Sequence, residues 1–346
     1  MLAAAFDGSD LNLEERPKPE ISKGEALIRV KAASICQTDL RIISEGHKKL
    51  SGEGSTVLGH EFTGEIVELG DEVKGFVEEQ DVVIAPNIGC GRCSQCLSGN
   101  HHRCPDFRAV GISIDGGFQE YFKAPEEAIV RGNIVPVPDG IEPRVAAVAE
   151  PFSTCYNALT ACDLGVSDFV LVIGAGPMGI LNLIMAKYGG ASKVIVSEVL
   201  EERQKRAKEF GADAVLDPTE SPLEEQVQEI TRGEGVDVSI VAAPVSQAQL
   251  QAIKSTAIEG KVNFFATLPK DQSLEEFPSN YLHYNQVYVT GTSGASRNHF
   301  VDTLDIISSG RVPLDRVVTH EYPLSEMEEA LEMARDSESL KVVVKP

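Results

Sequence analysis

At 346 residues the chain exceeds one typical domain, and 42% apolar with 24% charged residues is ordinary for a globular protein with a sizeable core. Thirty-one basic against 53 acidic residues give a net charge of −22, which disfavours nucleic acid and anionic membrane as partners. No apolar run approaches the roughly 18 to 20 residues that span a bilayer, and MLAAAFDGSD lacks the parts of a secretion signal, so a cytoplasmic location is expected. Short strand patterns at 26–32, 64–69, 81–86 and 118–124, separated by glycine, proline and charge, predict a mostly β domain over about the first 140 residues. An alanine-rich helix pattern follows at 144–162. Strands at 169–173, 193–197, 214–216, 236–242, 261–267 and 286–290 then alternate with helices at 180–188, 201–210, 223–231 and 247–258. That alternation predicts an α/β doubly wound parallel sheet. A helix at 299–308, a capping box at Ser325 to Glu328 opening another helix, and a strand at 341–345 complete the chain.

The stretch FVLVIGAGPMG carries the strongest motif. A wholly apolar strand runs straight into Gly174, Gly176 and Gly179 in the G-x-G-x-x-G spacing, with Pro177 and Met178 between them, and a helix follows. In this context the glycines permit the bend, the approach of a pyrophosphate and close helix packing. The next strand ends at Glu198, whose carboxylate can accept hydrogen bonds from an adenosine ribose, with Arg203 shortly after it. A dinucleotide is therefore the expected ligand.

Seven cysteines in a reducing compartment point to metal thiolates or buried thiols before disulfides. Cys90, Cys93, Cys96 and Cys104 form C-x2-C-x2-C-x7-C on a glycine-rich loop. Four thiolates close a tetrahedral zinc site and leave no place for substrate, so its role is structural. An iron–sulfur cluster takes the same ligands, but no electron-transfer partner accompanies it. A second, dispersed set comprises Cys36, His60 and Glu150, the three ligand types of an open zinc site, with Asp39 available to fix the imidazole. Each also has an ordinary reading, as a buried thiol, a core histidine or a helix-end charge. Cys155 and Cys162 read as core thiols.

Together, CQTD at 36–39, GHEFTGEIVELGDEV at 59–73, the four-cysteine lobe, the glycine turn and Glu198 resemble the zinc-dependent medium-chain alcohol dehydrogenase superfamily over essentially the whole chain. Glu150 before Pro151 is similar to the polyol (sorbitol-like) and threonine branch. The resemblance implies a mostly β, GroES-like catalytic domain at 1–140 and 291–346, and a doubly wound Rossmann domain inserted at 141–290. It implies two zinc ions per chain, one held by Cys36, His60, Glu61 and Glu150 and one by the four-cysteine lobe, with NAD as the hydride acceptor. The implied activity is oxidation of a polyol or related hydroxy compound, with threonine as the alternative substrate, by a homodimer or homotetramer. Thr38 is implied as the first member of a proton relay. Arg41 stands where relatives commonly place a histidine, and arginine does not give up its proton. A zinc-stabilised nucleotide sensor without turnover is the alternative of another class. His47, Lys48, Lys49 and Arg297 are candidates for attracting a phosphorylated substrate, or else solvated surface cations.

Overall fold

The computed structural model describes residues 1–346 apart from 48–49, 51–53, 271 and 274–276. These residues form two units, Met1–Ser153 with Gly294–Pro346, and Thr154–Ser293. In chain order the elements are β1 (Leu2–Phe6), β2 (Leu11–Glu15), β3 (Ala26–Ser34), α1 (Gln37–Glu45), β4 (Thr56–Val57), β5 (Glu61–Leu69), β6 (Asp81–Ile84), β7 (Asn87–Ile88), α2 (Ser94–Leu97), β8 (Arg108–Ala109), β9 (Tyr121–Ala124), α3 (Glu126–Val130), β10 (Ile134–Pro136), α4 (Pro143–Ala146) and α5 (Ala149–Ala161). There follow β11 (Phe169–Ile173), α6 (Pro177–Tyr188), β12 (Lys193–Ser197), α7 (Glu201–Glu209), β13 (Ala214–Leu216), α8 (Leu223–Thr231), β14 (Val236–Val241), α9 (Ser246–Ser255), β15 (Thr256–Phe264), α10 (Ser279–Asn285) and β16 (Tyr288–Gly291). The chain ends with α11 (Arg297–Ser308), β17 (Val318–Pro323), α12 (Met327–Arg335) and β18 (Lys341–Lys345).

The first unit is built on a sheet of order β10-β6-β5-β3-β18-β17, with β9 also paired to β3. In β3 the charged Arg29 and Lys31 turn outward to Glu65 and Asp81, while Ile28 and Val30 are buried. Phe6, Phe62, Phe118 and Phe122 fill the core, with the rings of Phe62 and Phe122 edge to face at 5.1 Å. Burying each of these rings contributes about 1.5 to 3 kcal/mol. Strand β18 lies antiparallel to β3 through Val343 opposite Ser34 and Val344 opposite Ala33. The last strand of the chain is thus hydrogen-bonded to the strand that leads into Cys36.

The second unit is a six-stranded parallel sheet of order β13-β12-β11-β14-β15-β16. From β11 the chain steps one way through β12 and β13, then returns to place β14 on the other side of β11. Ligands of open α/β sheets bind beyond the carboxyl ends of the strands at such a reversal, and the glycine turn begins there, directly after Ile173. Leu171, Ile173, Ile195, Val227 and Val262 belong to the core of this unit.

Three local expectations are corrected. The helix expected over 247–258 ends at Ser255, and the strand expected over 261–267 already starts at Thr256 and ends at Phe264. Thr256 pairs with Val236 across a register shift, so strand pairing overrides the helical pattern of this stretch. The capping box at Ser325 does not form: Leu324–Glu326 is a turn of 3-10 helix, and α12 starts at Met327 without a side-chain cap. Helices α1 and α10 have no counterpart in the sequence reading.

Candidate active site and metal centres

In the first unit the loop after β7 folds into a small lobe through α2 and a 3-10 turn at His101–Arg103. One sulfur from each of Cys90, Cys93, Cys96 and Cys104 lies within 4.8 Å of the others. The space around them is reserved for sulfur, since a Cβ on Gly89 would come 2.6 Å from Cys96 Sγ. Cys90 N–H donates to Cys104 Sγ at 3.3 Å. Backbone N–H groups of Arg92 and Cys93 bring the Cys90 thiol down to about 6, whereas burial pushes Cys96 up to about 12. Four converging sulfurs with one already drawn toward thiolate fit a tetrahedral metal.

The dispersed set converges as well. Strand β3 delivers Cys36 to the N-terminus of α1, and a turn places His60 and Glu61 at the start of β5. Cys36, His60 and Glu61 each offer a ligand atom within 4.8 Å of the other two. Asp39, fully buried, organises them: Oδ2 accepts from Cys36 N–H at 2.9 Å, and Oδ1 faces His60 Nδ1 at 3.2 Å. Burial opposes a charge on His60, but Asp39 and then Cys36 prevail and hold the ring well above its ordinary value. A metal here would displace that proton, with Asp39 keeping the imidazole oriented. Glu61 is buried and its Oε1 has no hydrogen-bond partner. Such an orphaned carboxylate oxygen beside a thiol and an imidazole fits an absent cation.

Glu150 does not join the three atoms of that cluster. It opens α5 close enough to feel His60, Glu61, Lys341 and Asp39. The residue keeps some exposed surface, yet burial of its carboxyl is the main cause that raises it to about 7; His60 opposes this and Glu61 adds to it. Thr38 is half-buried in the first turn of α1, and Arg41, further along the same helix, is exposed. Sequence reasoning missed Lys341, whose Nζ donates to Glu61 Oε2 at 2.5 Å. Its only signal was a lysine directly before three valines. Lys48 and Lys49 lie outside the described residues, while Arg297 Nη1 donates to Arg131 O at 3.1 Å.

In the second unit Gly176 caps α6 and Pro177 occupies its first turn, where a missing N–H costs nothing. Gly179 is obligatory for packing, because a Cβ there would sit 1.9 Å from Gly174 O. Glu198 is only 6% exposed. Its Oε2 accepts from Ala175 N–H at 2.8 Å, and Oε1 from Val199 and Leu200 N–H at 2.9 and 3.0 Å. The carboxylate thus stitches the glycine turn to the end of β12 and retains lone pairs for a ribose hydroxyl. Arg203 stands beside the turn, its Nη1 3.8 Å from the place a Cβ on Gly176 would take, and its Nε is buried without a partner. An unpaired guanidinium nitrogen at a glycine turn fits an anionic dinucleotide.

Comparison with known proteins agrees with this chemistry. The family model of the alcohol dehydrogenase GroES-like domain matches residues 22–139, and that of the zinc-binding dehydrogenase matches residues 177–309. Over 342 residues the chain is 34% identical to L-threonine 3-dehydrogenase of Pyrococcus abyssi, covering 97% of this chain and 94% of the relative. It is 30% identical to sorbitol dehydrogenase of Halalkalibacterium halodurans over 339 residues, 96% of this chain and 95% of the other. The crystal structure of 2R,3R-butanediol dehydrogenase from Bacillus subtilis superposes with a TM-score of 0.90 at 27% identity, over 100% of this chain and 99% of that one. What fold and ligand geometry describe is a zinc-binding dehydrogenase that works with a nicotinamide dinucleotide. The chain belongs to the zinc-dependent medium-chain alcohol dehydrogenase superfamily, in the branch of polyol and threonine dehydrogenases, and acts on CH–OH groups.

Proposed function

We propose that the chain oxidises a secondary alcohol of a polyol or sugar alcohol, free or phosphorylated, and passes the hydride to NAD. Cys36, His60 and Glu61 would hold the catalytic zinc, with Glu150 as a nearby or alternate ligand; Cys90, Cys93, Cys96 and Cys104 would hold the structural one. Gly174, Gly176, Pro177, Met178, Gly179, Glu198 and Arg203 would hold the dinucleotide. The observation that carries the reading is the convergence of one thiol, one imidazole and one unpartnered carboxylate oxygen within 4.8 Å. When bound, the zinc supplies Lewis acidity that eases loss of the alcohol proton, and the nicotinamide accepts the hydride.

The chain's own groups handle orientation and the proton. Asp39 holds the backbone of Cys36 and the ring of His60 together, so the imidazole does not rotate freely. Burial raises the Glu150 carboxyl of the metal-free site to about 7, and Glu150 is assigned the uptake and return of the proton. Thr38, half-buried in the first turn of α1, would hand that proton outward. Arg41 is excluded from the relay by its fixed charge.

NAD rather than NADP follows from the immobilised carboxylate of Glu198. A 2′-phosphate about 4 Å from it would meet a repulsion on the order of 1 to 4 kcal/mol. The test is NADH production by the zinc-loaded protein against free polyols, their phosphates and L-threonine, each with NAD and with NADP. Oxidation of a polyol with at least tenfold better kcat/KM for NAD is expected. Turnover of threonine alone would replace the polyol reading, no turnover of any alcohol would favour the sensor, and equal use of NADP would remove the role of Glu198.

A further inference from the structure

Strand β18 contributes four consecutive buried residues, Lys341 to Val344, to the first unit. Three are valines that belong in a sheet core. The fourth is a lysine with a 4% exposed side chain, at a position where a methionine of similar length would pack without any desolvation cost. Its charge therefore needs an explanation beyond packing. The ammonium donates to Glu61 Oε2 at 2.5 Å and to Ile35 O at 3.0 Å. Ile35 immediately precedes Cys36, and Glu61 immediately follows His60. One group thus ties together the two chain segments that present all three converging ligand atoms.

The arrangement divides the labour of Glu61. Oε2 is held by Lys341, while Oε1 is left without a protein partner. The buried carboxylates of Asp39 and Glu61 stand on the same imidazole beside the Cys36 thiol, so negative charge gathers in a water-poor place. A buried anion left alone costs several kcal/mol, and one paired with a cation far less.

We infer that Lys341 is a resident counter-cation and positioning residue of the candidate metal site, holding Glu61 and the backbone beside Cys36 in place and compensating Glu61 when no metal is bound. The inference rests on the Cys36, His60 and Glu61 reading above. With a metal present, Glu61 has two cationic neighbours. Without one, Lys341 is the cation hydrogen-bonded to it. The lysine thus makes the metal-free site tolerable and lets the ion come and go without collapse of its ligands.

The test compares thermal unfolding of the protein carrying two zinc equivalents with that of the protein stripped by chelator to one. In Lys341→Met the stripped form should lose more stability than the loaded form, widening the gap between them by about 5 °C or more relative to the wild type. Glu61→Gln alone should also weaken the stripped form, because it leaves the lysine unpaired. The double variant Lys341→Met with Glu61→Gln should restore the stripped form to at least the stability of either single variant, since both buried charges are then gone. Equal losses in loaded and stripped Lys341→Met would overturn the inference and leave a packing role. So would a double variant that is less stable than both singles or fails to fold. A wild type that holds one zinc equivalent, unchanged in Cys36→Ser, would instead sink the metal-site reading itself.

Discussion

Glu150 is where the site should show its pH dependence. An ordinary carboxyl of this kind titrates near 4.5, and here burial raises it to about 7. Between those values the folded protein holds a proton that the unfolded chain has lost, so stability falls as pH rises through this window. The loss is on the order of 3 kcal/mol by linkage. His60 acts in an adjacent window: its value is raised above 6.5, so its contribution is full below 6.5 and is lost as pH climbs through the folded value. Replacing Glu150 by glutamine should flatten the slope of metal-free protein between about pH 5 and 7 and leave the fall above it. Denaturant melts at fixed pH intervals measure this, and an unchanged lower slope would remove Glu150 from the buried cluster. Glu150 was singled out in the sequence through its neighbour Pro151 and the family pattern, and the structure brings it within electrostatic reach of His60 and Glu61. Its raised titration was not legible, because that comes first from burial under the rest of the fold and then from Glu61, which arrives on a strand far away in sequence.

At the scale of elements, legibility followed the distance over which a signal acts. The four-cysteine lobe declares itself because all its ligands fall within one short loop, and the glycine turn because strand, turn and helix are contiguous. The switch from α9 to β15 was misplaced, since Thr256 takes its conformation from pairing with Val236 on another strand. Lys341 gave no sign of its partner, which lies 280 residues earlier. The two metal loops should also respond differently to loss of a ligand. In the lobe the metal stands in for a hydrophobic core, so its binding free energy is local folding free energy. Cys96→Ser should therefore lose about one equivalent of zinc and unfold at a lower temperature. Cys36→Ser should lose the other equivalent and alcohol oxidation, yet keep dinucleotide binding, because Glu198 and the glycine turn belong to the other unit. Metal analysis and fluorescence titration with NADH on both variants decide this, and full activity in Cys36→Ser would refute it.

At the scale of the whole molecule, the two units differ in how the chain visits them. Thr154–Ser293 is one continuous segment with its own core, whereas the other unit is made of two segments separated by it. A fragment of residues 154–293 should accordingly fold and bind NADH alone, and one of residues 1–153 should not reach a native sheet, for lack of β17 and β18 beside β3. Circular dichroism and NADH titration of the two fragments test this; a cooperatively unfolding 1–153 fragment would contradict it.

The pairing of Glu61 with Lys341 also sets a clock. Synthesis adds about 5 to 20 residues per second, so the 280 residues between the two partners take roughly 15 to 55 s to make. Throughout that interval Cys36, His60 and Glu61 have been made while the lysine does not yet exist. Glu61 has to wait for the end of the chain to meet its lysine, so completion of the site is a matter of birth order as well as affinity.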